Sequence, residues 1–307
     1  MVRYAEGNNF GSSAVKIEKE FKSVTDSMND AGLNYNVSLQ DCFLADGTQV
    51  PKTKVTVRDD KNEVLGVVGE RYQVVQNQEA FGFFDEFIEN KFATIEHAGL
   101  LGKSNIVFVQ AKILCEPIEI IKGDVIQSYA TLLNSHDGTT SVVAMFMPIR
   151  LFCANQLPKL KTSNKLKLKH TKNVHLGLDK IKQIMDLHNR EFAATAEQYR
   201  YLASKGVNKK DLERYVRLVF GKDEEENETE VKEMRKSKVE AIAELYENGR
   251  GASNATHNYF GAFQAVNEYL NYEAGRSVDN RLKSLWVGAN ADVNRKAFEI
   301  ALELTKG

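Results

Sequence analysis

The placement of proline divides this chain in two. Pro51, Pro117, Pro148 and Pro158 are its only prolines, and the 149 residues after Pro158 hold none. Proline inside a helix removes a backbone hydrogen bond and clashes with the preceding turn, at about 3 kcal/mol or more. A long proline-free stretch therefore suits helices, and the part before it must fold in another way.

The first half is written in short β-branched runs separated by turn residues. "KVTVRDDKNEVLGVVG" (54–69) predicts two strands around an Asp59-Asp60-Lys61-Asn62 turn. In "YQVVQNQEAFGFFDEFIEN" (72–90) the period changes: Asn77 suits an N-cap, and Phe81, Phe84, Phe87 and Ile88 recur at helical spacing. Residues 94–114 predict a strand, a glycine-containing turn and a strand, and residues 125–147 predict a second hairpin. Pro148 then suits the first turn of a short helix over 149–157.

The second half predicts successive amphipathic helices over 178–204, 208–221, 231–249, 256–275 and 292–307, with Asn208 as a cap and Gly221 as a stop. The run "DEEENETE" (223–230) suits a solvated loop before a helix N-terminus, where negative charge is favourable. The fold class is α+β: an N-terminal antiparallel β-sheet with packed helices, then a mainly α-helical C-terminal half. The expected divisions are an N-terminal helical or flexible arm (1–32), an α+β core (33–158), a basic strand or linker (159–175) and a helical domain (176–307).

"NSHDGTT" (134–140) joins two strand-like runs and places a histidine beside an aspartate. Asp137-Gly138 is a hairpin signal, because glycine accepts positive φ and aspartate tolerates it. Neighbours in a turn form no nucleophile–base–orienter chain without a third group. The segment is expected to be a structural turn first and a ligand contact second. A metal nuclease built on Asp124, His136 and Asp137 is the remote alternative. Walker A, GxGxxG and GxSxG motifs are absent, and no cofactor is implied.

With 42% hydrophobic and 27% charged residues the chain has the composition of a packed globular protein. Its net charge is −1, so any electrostatic partner must meet a local patch. Three widely spaced cysteines, Cys42, Cys115 and Cys153, suit buried thiols rather than a disulfide scaffold or zinc knuckle. No signal-like leader and no run of 18 apolar residues is present, which leads to the expectation of a cytoplasmic protein without a membrane partner.

The local patch is "KLKTSNKLKLKHTK" (159–172). It holds Lys159, Lys161, Lys165, Lys167, Lys169 and Lys172, with no acid. In a strand, alternation over 165–169 would set three lysines on one face, about 6.6–6.8 Å apart. Such a row can follow the backbone of a nucleic-acid strand; it can equally protect a sheet edge. Tyr72, Tyr129, Phe146 and Phe152 could stack on bases, although aromatics at such positions more often belong to a core.

"RYQVVQNQEAFGFFDEF" (71–87), "LLNSHDGTTSVV" (132–143), "PIRLFCANQL" (148–157), "KHTKNVH" (169–175) and "THNYFGAFQAVNEYL" (256–270) resemble, in this order, the phage/plasmid-like proteins of domain of unknown function 932. That resemblance implies a mobile-element setting. The order of strand pair, helix, antiparallel strands and helix also resembles the single-strand annealing proteins of the RecT, Red-beta, Erf and Rad fifty-two groups. This second resemblance implies a basic groove along a sheet, a ring or filament of subunits, and single-stranded DNA as partner. Under it Arg150, His136 and the six lysines contact the nucleic acid. Binding without bond chemistry is then the expected function, alone or with a host or phage replication or recombination protein. A protein-interaction module, using residues 223–230 and the aromatic helix 256–272, is the rival.

Overall fold

A computed structural model describes residues 15–16, 20–101, 105–140, 142–151, 153–160, 178–221, 228–252, 255 and 257–306. It is an α+β protein: antiparallel sheets dominate the N-terminal half and helices the C-terminal half.

Three strands, β1 (Val15–Lys16), β2 (Val37–Phe43) and β3 (Gln49–Arg58), and the helix α1 (Val24–Asp30) open the chain, followed by β4 (Glu63–Gly69). Strands β2, β3 and β4 form a small antiparallel sheet of their own. The Asp59–Asn62 turn closes β3 onto β4, with Asn62 at φ 50°. Helix α1 is not an external arm: Val24 and Met28 are buried in its own chain, and the Val24 N–H donates to Asp85 (2.6 Å).

Residues 77–89 form α2 (Asn77–Phe81), a 3-10 turn (Gly82–Phe84) and α3 (Asp85–Glu89). The helical spacing of phenylalanines is a core stripe: Phe81, Phe84 and Phe87 are buried, the last two stacked at 4.7 Å. The N-cap is Gln76, whose N–H donates to the Glu79 carboxylate (3.3 Å); Asn77 is the first helical residue, and its side chain is turned inward.

The large sheet contains β5 (Ala93–Leu101), β6 (Ile106–Ile113), β7 (Ile118–Ile121), β8 (Asp124–Ser135), β9 (Val143–Arg150) and β10 (Asn155–Gln156), with β1 at its far edge. Its order is β1-β5-β6-β8-β9-β10, antiparallel throughout, and β7 continues the line of β6 beside β8. The predicted helix over 149–157 is not formed. Pro148 lies inside β9, paired with Ser128. The strand accepts it because its carbonyl receives the Leu157 N–H (2.9 Å) on the side away from β8. In an antiparallel strand the nitrogen of the same residue faces that same side, so the ladder to β8 loses no donor.

The helical half consists of α4 (Leu178–Ala203), α5 (Lys209–Phe220), α6 (Glu228–Asn248), α7 (Tyr259–Glu268) running into a π turn (Tyr269–Glu273), α8 (Val278–Val287) and α9 (Ala289–Leu304). Asn208 caps α5 by accepting from the Asp211 N–H (3.0 Å), and Gly221 ends it. These helices pack back onto the sheet. On one face of β8, Ser128 meets His188 of α4 and Asn134 meets Asn77 of α2. On the other, Phe108, paired with Leu133, meets Trp286 of α8 at 5.2 Å. Burial on both faces explains why β6 and β8 are almost continuously buried instead of alternating.

The two sheets meet at the β8–β9 tip. Gly138 adopts φ +74°, as the hairpin signal requires. Gly66 of β4 packs directly beneath: a Cβ there would lie 2.5 Å from the Asp137 Cα, backbone that cannot swing aside. Gly66→Ala should therefore cost about 2 kcal/mol, the usual scale for forced overpacking. Gly69→Ala, three residues on with nothing within 4 Å, should stay within about 0.5 kcal/mol of the wild type. Urea denaturation of the two variants checks the contrast.

Candidate functional site

The residues singled out in the sequence fall at three separate places. The first is the tip. His136 is fully buried, and its Nε2 lies 2.9 Å from Asn77 Oδ1, which also accepts from Asn134 Nδ2 (3.0 Å). Its main chain is held too: the N–H donates to the Asn105 carbonyl (2.8 Å), and its carbonyl accepts from the Thr56 hydroxyl (2.6 Å). Asp137 accepts from Ser135, Asn105 and both the N–H and hydroxyl of Thr139, with Lys283 at 3.8 Å. Burial pushes the Asp137 carboxyl up, but those hydrogen bonds and the lysine charge outweigh it and hold it below the usual range.

The cluster is a polar lock between the two sheets and α2. His136 is buried and cannot reach a nucleic acid, which corrects the expectation placed on it. The reason is local: β4 and α2 cover the tip that a free hairpin would expose.

The second place is the far end of β8. Arg150 is also fully buried. Its Nε donates to both Asp124 carboxylate oxygens at 2.7 Å, and Nη2 donates to Asp124 and to the Gly251 carbonyl (3.1 Å). Arg150 therefore does not face a phosphate; its charge is already answered inside the fold. The cradle is shaped for it, since a Cβ on Gly251 would sit 1.9 Å from Arg150 Nη1. Asp124 and His136 lie at opposite ends of a twelve-residue strand, about 35–40 Å apart at the rise of an extended chain. The structure does not bring Asp124, His136 and Asp137 together as a metal site, and no cluster of three ligating side chains occurs among the described residues.

Ser128, His188 and Asn189 do meet at triad-like distances, 2.7 Å and 3.0 Å. Both Ser128 and His188 are fully buried, however, and the imidazole is enclosed by the Phe146 and Phe192 rings. Burial pushes the His188 pKa down, which fits a satisfied core histidine. Among the thiols, Cys153 is buried and its pKa is raised by desolvation, while Cys42 and Cys115 are half-buried.

The third place is the basic row. Lys159 is exposed on the chain that still runs along the edge of β9, where the Leu160 N–H donates to the Phe146 carbonyl (2.8 Å). Lys161, Lys165, Lys167, Lys169 and Lys172 lie outside the described residues. Of the aromatic candidates, Tyr129 and Phe146 are core residues, and the Tyr72 hydroxyl donates to the Ser135 carbonyl (3.1 Å); Phe152 lies outside the described residues. The aromatic helix α7 is buried along its whole length, whereas Tyr269 and Tyr272 of the π turn are half-buried; residues 223–227 of the acidic run lie outside the described residues.

Sequence reasoning missed a buried amide cluster around Gln156. The Gln156 carbonyl accepts from Asn267 (2.9 Å), Asn271 (3.3 Å) and Asn294 (3.3 Å), its N–H donates to Asn271 Oδ1 (3.1 Å), and its Oε1 accepts from the Trp286 indole. A signal was present: Gln264, Asn267 and Asn271 recur at spacings of three and four along an otherwise apolar helix.

Two outcomes follow from these charges. Arg150→Met strands a buried carboxylate and should cost about 3–5 kcal/mol, whereas Arg150→Met with Asp124→Leu should recover most of that loss; chemical denaturation measures both. Burial lowers the His136 pKa from 6.5 to about 4, and the neighbouring Asp137 carboxylate offsets this only in part. The unfolded chain then takes up a proton below pH 6.5 that the folded chain refuses, so stability is full above that pH and falls toward pH 4. The His136 contribution should be about 2 kcal/mol lost between pH 7 and 5. His136→Gln should flatten the melting profile over that window.

The span of the matching motifs agrees with a direct comparison. The profile described as Domain of unknown function (DUF932) matches residues 64–286, from β4 through Trp286 of α8. No curated protein and no solved structure matches the chain. The matched stretch includes the tip lock apart from Thr56, the Arg150–Asp124 pair and most of the Gln156 cluster, and the chain belongs to this family, the one described as Domain of unknown function (DUF932).

Proposed function

We propose that the protein binds single-stranded DNA and promotes annealing of complementary strands during recombination of a phage or plasmid. The observation that carries this reading is the run of six lysines without an acid between residues 159 and 172, in a chain of net charge −1. Lys159, Lys161, Lys165, Lys167, Lys169 and Lys172 neutralise successive phosphates, and the bases stay free for a second strand. One further feature supports it: the one lysine of the run that is described, Lys159, is exposed at the edge of the sheet. Assembly of several copies would multiply the modest affinity of each lysine row. The reaction is association alone, in keeping with the burial of Ser128, His188, Arg150 and His136.

Fluorescence anisotropy of labelled single-stranded DNA across a salt series tests the proposal. Neutralising about five phosphates per subunit gives a slope of about −3.5 for log affinity against log salt. Replacing Lys165, Lys167 and Lys169 with alanine should make that slope shallower by about 2, and faster duplex formation should appear when the complementary strand is added. A flat salt response, or a triple variant that binds like the wild type, would remove the lysine row from the interface.

A further inference from the structure

The described residues carry a second concentration of positive charge, on the outer face of α5. Lys209, Lys210, Arg214 and Arg217 stand there against Asp211 and Glu213. Asp211 is engaged at the N-terminus, where its carboxylate accepts the Asn208 N–H (3.4 Å), which leaves Glu213 alone among the cations. Leu212, Tyr215, Val216 and Val219 are buried and fix which way the helix faces. Lys210, Arg214 and Arg217, at spacings of four and three, fall together on the solvent side and are exposed. None of these three has an ion-pair partner among the described residues. With Glu213 and Leu218 they line one shallow hollow of about 350 Å³.

The positive charge continues beyond α5. Lys296 of α9 is exposed, and its Nζ donates to the Gly221 carbonyl (3.2 Å) at the end of α5. The Gly221 N–H donates to the Arg217 carbonyl (2.8 Å), so Arg217 lies one turn back from that contact. Arg295, the neighbour of Lys296, lines the same hollows as Lys159. Arg295 pairs with Asp292 (2.9 Å), but both are exposed, and such a pair opposes a phosphate only weakly. A cationic path therefore leads from Lys159 across α9, by Arg295 and Lys296, and along α5 to Lys210. Glu191, Asp292 and Glu299 border its Lys159 end, whereas the α5 end holds Glu213 alone.

We infer that the outer face of α5 takes the sugar–phosphate chain of the bound strand after it crosses α9, with Lys210, Arg214 and Arg217 as phosphate contacts. This inference rests on the single-strand binding proposed above and adds to it a contact surface separate from the lysine row. The helix rise sets Lys210 and Arg217 about 10 Å apart along the axis, the span of about three stacked nucleotides at about 3.4 Å each. Leu218 is the one apolar side chain in the hollow, too little for the apolar centre of a protein–protein interface. A phosphate chain asks for cations and for no such centre.

The test follows a labelled thymidine 20-mer by anisotropy across a salt series with the full chain. Three phosphates added to about five on the lysine row steepen the slope of log affinity against log salt from about −3.5 to about −5.6. The triple variant Lys210→Gln, Arg214→Gln, Arg217→Gln should make the slope shallower by about 2. A control triple, Lys22→Gln, Lys52→Gln, Lys61→Gln, removes the same charge from exposed sites in the N-terminal half and should leave the slope unchanged. Bound strand should also slow acetylation of Lys210 and not of Lys61. If the wild type binds and the α5 triple keeps its slope, or the control triple lowers it equally, the α5 surface is overturned and the functional proposal stands. If the α5 triple lowers the slope while Lys165, Lys167 and Lys169 can be replaced without effect, α5 stands and the lysine row leaves the interface. If no strand binds at low salt, both fail; binding of polyglutamate in that case would assign α5 to an acidic protein segment instead.

Discussion

Strand β8 is enclosed on both faces, and the rest of the molecule is arranged to answer the polar side chains it carries. Asp124 is met by Arg150 of β9, Gln127 by the Ile113 carbonyl of β6, Ser128 by His188 of α4, Thr131 by Gln110 of β6, Asn134 by Asn77 of α2, and Ser135 by Asp137 of the tip. Leaving one such group unmet costs about 1–3 kcal/mol, so each partner is tied to one register. A one-residue slip of β8 would turn every one of these groups to the wrong face and unmake all the pairs at once. The strand therefore specifies position as much as it adds stability.

The same logic ties the helical half to the sheet. The Gly251 carbonyl closes the Arg150–Asp124 pair from the loop before α7, and the amides of Asn267, Asn271 and Asn294 converge on the Gln156 main chain. The π turn that follows α7 inserts an extra residue per turn next to Asn271, and both Asn267 and Asn271 reach the same carbonyl. Buried polar groups hold the two halves in a single arrangement that apolar packing alone would fix less sharply.

Much of this was legible in the residues. The proline boundary separates sheet from helices, the Asp137-Gly138 signal marks the tip, the phenylalanine stripe marks the core of α2 and α3, and Asn208 and Gly221 bracket α5. What was illegible depended on neighbours distant in sequence. Pro148 suits a helix start by local rule, and becomes a strand residue only because its nitrogen faces away from β8. Asn77 has the chemistry of a cap, but His136 and Asn134, far along the chain, claim its oxygen. Strand β2 has exposed Leu39 and Phe43 and no clean alternation, so it is visible only once β3 is beside it; α8 is short and was hidden by its own polar face. Arg150 and His136 looked available because nothing nearby in sequence announces a buried carboxylate or a covering strand. Of the lysine row, only the solvent position of Lys159 belongs to the described structure.

The covering of one sheet face by Trp286 and α9 has a consequence during synthesis. The strands are complete by residue 156, while α8 and α9 begin at residues 278 and 289. At roughly 5–20 residues per second the ribosome needs about 6–30 seconds to make the helices that cover the face bearing Phe108, Met145 and Met147. Throughout that interval a broad apolar sheet surface stands open to water and to other nascent chains. An order of synthesis that makes the covering helices last leaves this face as the one through which an incomplete chain would associate with its neighbours.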